Sequence, residues 1–321
     1  MAHKIWSAGF WEAYWMTMRP YLIFISGAAG LVGLAFVREP DFIRIALAFL
    51  PLLLSYGFGQ ALTDCFQMDT DALSSPYRPL VRGIILRSQV LTVSLLGLAA
   101  GVLILGCLNP AILVPGGLAV LGLLTYTPLK RTWWGGPPWN SWIVALLPVM
   151  GRQVERQSSL GRVIRAEDSR VLFLSVAVVF FAYANFVVMG YFKDISADRK
   201  TGYRTFPVVF GWGPAAVYSD IAALAAALCA GAAIFSDPRF NILGTTVFLL
   251  AASLSLSAQI RIHGTREENM AHGPIADVVR VFILYCAAII LTLRPGWVYF
   301  FILFYFLFES SLLGRPEQSQ V

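Results

Sequence analysis

Charge is what this chain has least of. Only 13% of its 321 residues are Asp, Glu, Lys or Arg, against 58% hydrophobic, and the mean hydropathy is +0.69. A soluble domain could not cover that much apolar surface, so the chain reads as a polytopic membrane protein. Histidine is scarcer still: His3, His263 and His272 stand isolated between apolar runs and are assigned no role. Cys65, Cys107, Cys229 and Cys286 lie inside or at the ends of such runs without CxxC spacing, so neither a disulfide frame nor a zinc site is indicated. No Ser/Gly/Pro-rich linker separates two compositions, and residues 1–321 are expected to form one transmembrane domain. The net charge of +6 does not point to nucleic acid. Its basic residues sit in short loops, where they set orientation against anionic lipid.

What is present is a series of apolar runs. A bilayer core of about 30 Å asks for about 20 apolar residues per helix. Trp6, Trp11, Tyr14 and Trp15 read as an interfacial lead-in, and Arg19-Pro20 opens the first run, 21–37. The second, 42–66, ends in the acidic stretch Thr63-Asp64-Cys65-Phe66-Gln67-Met68-Asp69-Thr70-Asp71, followed by Arg78-Pro79-Leu80. Runs 89–108 and 111–126 form a hairpin about Asn109-Pro110, and run 171–192 ends in a second acidic cluster, Lys193-Asp194 to Asp198-Arg199-Lys200. If both clusters serve one site they lie on the same face, which needs an even number of crossings between them. The short stretch 134–151 is therefore expected to cross, at the expense of placing Arg152, Arg156, Arg162 and Arg165 on the opposite face. Runs 215–235, 242–260 and 275–293 follow, giving an all-α bundle of about nine transmembrane helices, with 297–313 a tenth candidate. With the N-terminus inside, the acidic loops are cytoplasmic. The two halves share an outline that hints at an internal repeat.

On a helix, Asp64 and Asp71 share a face with Gln67 between them, whereas Asp69 points away; Asp194 and Asp198 also share a face. Carboxylates closing membrane helices are expensive and functional by default. Two such faces converging make an oxygen-only set suited to Mg2+, which prefers carboxylates together with substrate phosphates. Arg78, Arg82, Lys130, Lys193, Arg199, Lys200 and Arg204 lie in the loops on the same side and could clamp diphosphate oxygens. Phe, Tyr and Trp number 23, 12 and 9. Most are core and interface residues, but some could shelter an allylic cation through their ring faces. Asp220 and Asp277 read as structural or helix-dipole acids.

These residues resemble the UbiA superfamily of intramembrane prenyltransferases, and the resemblance covers nearly the whole chain. The superfamily's second motif, Asp-x-x-x-Asp-x-x-x-Gly-x-x-Thr-Leu-Pro-Val, stands here as Asp194, Asp198, Gly202, Thr205, Phe206, Pro207 and Val208. Its first, Asn-Asp-x-x-Asp-x-x-x-Asp, stands as Thr63, Asp64, Gln67 and Asp71, followed by Arg78-Pro79-Leu80 and Gly83. The early Arg19-Pro20 and the Tyr126 to Lys130 segment with Arg131 are also similar to the superfamily's. The resemblance implies a helical bundle with a central cavity capped by the motif loops, in which Mg2+ held by Asp64, Asp71, Asp194 and Asp198 bridges the diphosphate of an isoprenyl donor. It implies Arg78, Tyr126 and Lys130 as catalytic residues, and Arg78, Lys130, Lys193, Arg199, Thr63 and Gln67 as diphosphate contacts. The prenyl group then passes to an aromatic or otherwise lipophilic acceptor. Gln67 and Thr63 depart from the pattern and remove one carboxylate from the first motif. Two alternatives stand beside transfer: a terpene cyclase of the same superfamily, and a transporter or lipid-binding protein whose acids form an ion path.

Overall fold

The structure, a computed structural model, describes residues 2–38, 41–155, 161 and 168–315. Arg156, Arg162 and Arg165 lie outside the described residues. Among those described, the secondary structure is helical throughout, without strands.

The first helix, α1 (Ala8–Met18), starts at Ser7, whose Oγ accepts from the Phe10 N–H. It buries Phe10 and Tyr14 while Trp6 before it and Trp11 and Trp15 on it stay exposed, as an interfacial helix should. Arg19 then adopts a left-handed φ of 53° and stops the helix, and α2 (Ile23–Ala35) departs at 65°. At 13 residues α2 is about 20 Å long, too short to span alone.

The long helices are α3 (Phe42–Asp64), α5 (Arg87–Leu108), α6 (Leu113–Lys130), α7 (Gly136–Gln153), α8 (Ser169–Tyr191), α11 (Trp212–Phe235), α12 (Ile242–Gly264), α13 (His272–Leu293) and α14 (Val298–Leu313). Three short helices sit between them: α4 (Met68–Ser74), α9 (Ile195–Lys200) and α10 (Phe206–Phe210). Among the described residues eight helical segments are long and apolar enough to cross a membrane, nine if α1 and α2 count as one bent span. Pro295–Leu313, which contains α14, is one of the eight.

Helix α7 is less apolar than these, yet it runs from end to end. It begins where Gly136 meets the Tyr191 hydroxyl, at the end of the bundle that carries the acidic loops. It finishes where Asn109 Nδ2 donates to the Gln153 carbonyl, 2.6 Å away at the opposite end. Helix α7 therefore runs from one end of the bundle to the other, in the place where parity leads one to expect a crossing, and most of its length is enclosed by protein; it is not among the segments apolar enough to count as candidate spans. Its contact with α2 is backbone on backbone: a Cβ on Gly33 would lie 2.0 Å from the Pro148 carbonyl oxygen, and one on Gly151 would lie 2.5 Å from that of Gly30. Small residues permit this approach where lipid gives no hydrophobic drive for helix association.

Successive long helices are neighbours, and α13 closes the ring by returning to α2. The further contact of α2 with α7 divides the ring in two. One part, bounded by α2, α3, α5, α6, α7 and the inner face of α8, surrounds a cavity. The other, formed by α8, α11, α12 and α13, is centred on α13, 83% of whose spanning part is buried. There Ser219 donates to Asn185 Oδ1 and Gln259 Nε2 donates to the same oxygen, a buried polar tie across α11, α8 and α12.

Candidate active site

Four features build the site: the end of α3 with α4, the loop to Arg78, the end of α6, and the end of α8 with α9. The chain leaves α3 at Asp64 and restarts as α4 at Met68, so that Gln67 precedes the new helix. Asp64, Gln67 and Asp71 all face one cavity of about 340 Å³, within the usual range of ligand pockets. Arg19, Thr63, Arg78, Tyr126, Lys130, Lys193 and Asp194 line the same polar end. Beyond it the wall is apolar, formed by Leu54, Phe58, Leu123, Ile143, Leu147 and Phe186, and Tyr56, Tyr183 and Asn140 are polar points along it.

The carboxylates of the first motif are held by cations. Arg19 Nη2 donates to both oxygens of Asp64, at 2.9 and 3.0 Å, and Gln60 Nε2 donates to Oδ1 at 2.7 Å. The Arg78 guanidinium pairs with Asp71 and lies 3.8 Å from Asp64, so it sits between the two. Burial pushes the Asp71 carboxyl up and Arg78 pulls it back. Gln67 accepts a 2.6 Å hydrogen bond from Lys130 Nζ, and its amide nitrogen faces the Thr127 hydroxyl at 3.4 Å. Thr63 is buried, with its hydroxyl donated to the Gln60 carbonyl.

In the second motif Asp194 lines the cavity just ahead of α9. Asp198, one turn on, is fully buried and accepts hydroxyl hydrogen bonds on both oxygens: from Thr70 at 3.2 Å and from Thr205 at 3.1 Å. Burial pushes its carboxyl up to about 6, against the pull of Lys130. The Thr70 bond ties the two motifs to each other. Gly202, at a φ of +78°, lets the chain turn so that the Tyr203 N–H reaches the Asp198 carbonyl and Thr205 returns to the carboxylate. Lys193 lines the cavity, and burial pushes its ammonium down to about 8.

Asp69 points away from the cavity, as its phase requires. Arg131 Nη2 donates to it at 2.8 Å, the Tyr203 hydroxyl donates to its other oxygen at 3.2 Å, and the Arg131 guanidinium lies 4.6 Å from the centre of the Tyr203 ring. The expected role of Arg199 is not matched by its position. It is exposed and outside the cavity lining, because the residue after Asp198, which is buried and itself not on the lining, rotates about 100° around α9. Arg82, Lys200 and Arg204 are exposed as well. Arg19, Gln60 and Thr70 were absent from the expected contacts. Gln60 had a signal, its spacing of four residues from Asp64 on one helix.

The arrangement is a membrane bundle with acids, amides and cations clustered at one end of a cavity whose remaining wall is largely apolar. The chain matches the UbiA prenyltransferase family over residues 22–274 and belongs to it; it is an intramembrane prenyltransferase. It is 27% identical over 213 residues to digeranylgeranylglyceryl phosphate synthase of Pyrococcus abyssi, covering 65% of this chain and 73% of the relative. The fold is similar to that of a UbiA homolog from Aeropyrum pernix K1, with a TM-score of 0.71 and 23% identity over 84% of this chain and 97% of that one. It is also similar to a UbiA homolog from Archaeoglobus fulgidus bound to GPP and Mg2+, with a TM-score of 0.66 and 18% identity over 87% of this chain and 99% of that one.

Proposed function

We propose that this chain ionises an isoprenyl diphosphate at the polar end of the cavity and transfers the prenyl group to a lipophilic acceptor held among the apolar walls. The observation that carries this reading is the set of four cationic side chains, Arg19, Arg78, Lys130 and Lys193, gathered with three carboxylates at one end of a cavity whose remaining wall is largely apolar. Such groups bind diphosphate and stabilise the charge that builds on it as the carbon–oxygen bond breaks with its electron pair leaving on oxygen. The acceptor then forms the new bond to carbon and loses a proton. Tyr126, beside Lys130, and the rings of Tyr56 and Tyr183 offer faces to the developing cation. The donor set is all oxygen and matches a hard divalent cation such as Mg2+, for which Asp64, Asp71, Asp194 and Asp198 are the candidate ligands. When bound, that cation neutralises the departing diphosphate. Relatives support the donor class: one solved homolog is bound to GPP and Mg2+. The digeranylgeranylglyceryl phosphate synthases place a glyceryl phosphate lipid beside aromatic compounds among the acceptors to try.

The basic residues of the short loops at the motif end favour a cytoplasmic position for it. Thiol labelling from either side of sealed vesicles, with a single cysteine introduced at the exposed Arg199, tests this. The reaction itself is tested on protein in lipid nanodiscs supplied with labelled prenyl diphosphates and an acceptor panel. Prenylated product that requires both Mg2+ and Asp194 is expected. Full activity in chelator or in Asp194→Ala would overturn the metal role. Diphosphate release that needs no acceptor would overturn transfer in favour of cyclisation.

A further inference from the structure

The cavity wall is not the same all round. On α5 and α6, beyond Tyr126 and Lys130, the lining is glycine and apolar side chains, among them Gly97, Gly101, Val102, Gly116, Val120 and Leu123. On the rest of the wall three helices each bring a larger polar side chain away from the charged end: α3 brings Tyr56, α7 brings Asn140 and α8 brings Tyr183. Asn140 Nδ2 donates to the Tyr183 hydroxyl at 3.4 Å, and the Asn140 amide also neighbours the Tyr126 hydroxyl. The Tyr183 hydroxyl in turn neighbours that of Tyr56, with the two rings edge to face and their centres 6.4 Å apart. Tyr126, Asn140, Tyr183 and Tyr56 thus form one polar strip leading away from the cations. By the rise of a helix, it starts about 6 Å from Lys130 at Tyr126 and ends about 12 Å from Asp64 at Tyr56.

An asparagine in a membrane helix commonly serves as glue between helices. Asn185 is used in that way: buried, with Oδ1 accepting from Ser219 at 2.5 Å and from Gln259 at 3.2 Å. Asn140 differs. It is half-buried on the cavity wall, and its bond to Tyr183 is long and engages one of two N–H donors. The serines of the wall are committed to backbone, Ser26 to the Ile23 and Leu53 carbonyls and Ser55 to that of Leu52. Polar groups short of partners in an apolar wall are costly unless a ligand completes them. The charged residues of the lining all belong to the polar end, so a phosphate or carboxylate on the strip would be a poorly solvated charge without a counter-ion. We infer that the strip is the acceptor subsite: it holds the hydroxyl head of an uncharged lipophilic acceptor, a phenol, quinol or alcohol, while the prenyl chain of the donor lies against α5 and α6. Its place one to two helical turns from the cations sets the acceptor on the side of the donor carbon away from the departing diphosphate, where the new bond forms.

This assignment rests on the proposed transfer to a lipophilic acceptor and names the class of that acceptor. Three probes with one body, a long-chain 4-alkylphenol, its methyl ether and its phosphate ester, separate a head that donates a hydrogen bond from one that cannot and from an anion. Calorimetry measures the binding of each to protein in nanodiscs whose polar end is filled by a non-ionisable thio analogue of a prenyl diphosphate, with empty nanodiscs as the blank. The wild type is expected to bind the phenol roughly tenfold more tightly than the ether, the effect of one buried hydrogen bond, and to bind the phosphate ester more weakly than the phenol. Asn140→Leu and Tyr183→Phe should each bring phenol and ether to within about twofold of one another. Thermal unfolding in the same nanodiscs confirms that folded chains are compared. Tighter binding of the phosphate ester, or equal binding of phenol and ether by the wild type, would overturn the inference, as would a folded Asn140→Leu that keeps the preference for phenol. Those outcomes leave the prenyltransferase reading standing, because it is read from prenylated product. Failure of the wild type to bind the thio analogue would instead overturn the donor chemistry from which the inference starts.

Discussion

Lys130 Nζ lies 2.6 Å from Gln67 Oε1, a hydrogen bond that joins residues 63 positions apart and sets the last turn of α6 against the break between α3 and α4. The ammonium is also 6.0 and 5.6 Å from the ring centres of Tyr191 and Tyr203. It is thus a fixed charge at the junction of both motifs. Replacing it with a neutral side chain of similar length, Lys130→Met, should lower the rate of diphosphate release roughly 10²- to 10³-fold, the usual effect of losing one preorganised group that stabilises developing charge. Single-turnover assays separate this from weaker donor binding.

The two acids of α4 should behave differently although they are two residues apart. Asp71 faces the cavity and Arg78, whereas Asp69 faces outward to Arg131, with both partners about two-fifths exposed. An exposed pair of this kind contributes at most about 1 kcal/mol. Asp69→Asn should therefore change product formation by less than about fivefold. Asp71→Asn should abolish most of it. Parallel rate measurements on the two variants check the contrast, and equal losses would show that the phase of α4 is misassigned.

Thr205 and Thr70 hold the buried Asp198 carboxylate between them. Thr205→Val keeps the shape and removes one donor from a fully buried acid. The expected cost is about 1–3 kcal/mol of stability. Thermal unfolding in detergent reads it, and Thr205→Ser, which keeps the hydroxyl, should recover most of the loss.

The contact between α2 and α7 gives a prediction remote from the polar cap. With no room for a Cβ between Gly33 and the Pro148 carbonyl, Gly33→Ala must push the two backbones apart, at a cost of about 1–3 kcal/mol or more. Gly117, where a Cβ meets nothing within 4 Å, provides the control: Gly117→Ala should leave the unfolding temperature nearly unchanged.

Much of this could be read from the residues because membrane helices announce themselves by hydropathy and the acids interrupt it. The runs ending near Asp64 and before Lys193 were legible, and so was the presence of a helix, α7, between the hairpin and α8. The phase of Asp69 was legible too, since one turn of helix fixes its direction. Arg199 went the other way: a cation next to a motif acid looks like a clamp, but a one-residue step on α9 turns it outward. Arg19 was marked by the resemblance, but its contact with Asp64 was hidden for another reason. A single arginine before a proline at the start of an apolar run reads as an interfacial anchor, and only the left-handed turn at that residue carries its side chain to Asp64. Asn140, Tyr183 and Tyr191 lie inside apolar stretches, where composition cannot separate a cavity wall from a packed core. The bend between α1 and α2 likewise has no hydropathy signature.

Mass spectrometry of membrane lipids is the most direct test of transfer. The chain would be expressed in a host supplied with several prenyl donors, beside a folded Asp194→Ala variant. The account predicts a lipid whose mass rises by one prenyl unit, with chain length following the donor supplied, present with the wild type and absent with the variant. Identical lipid profiles from the two, for every donor, would contradict it.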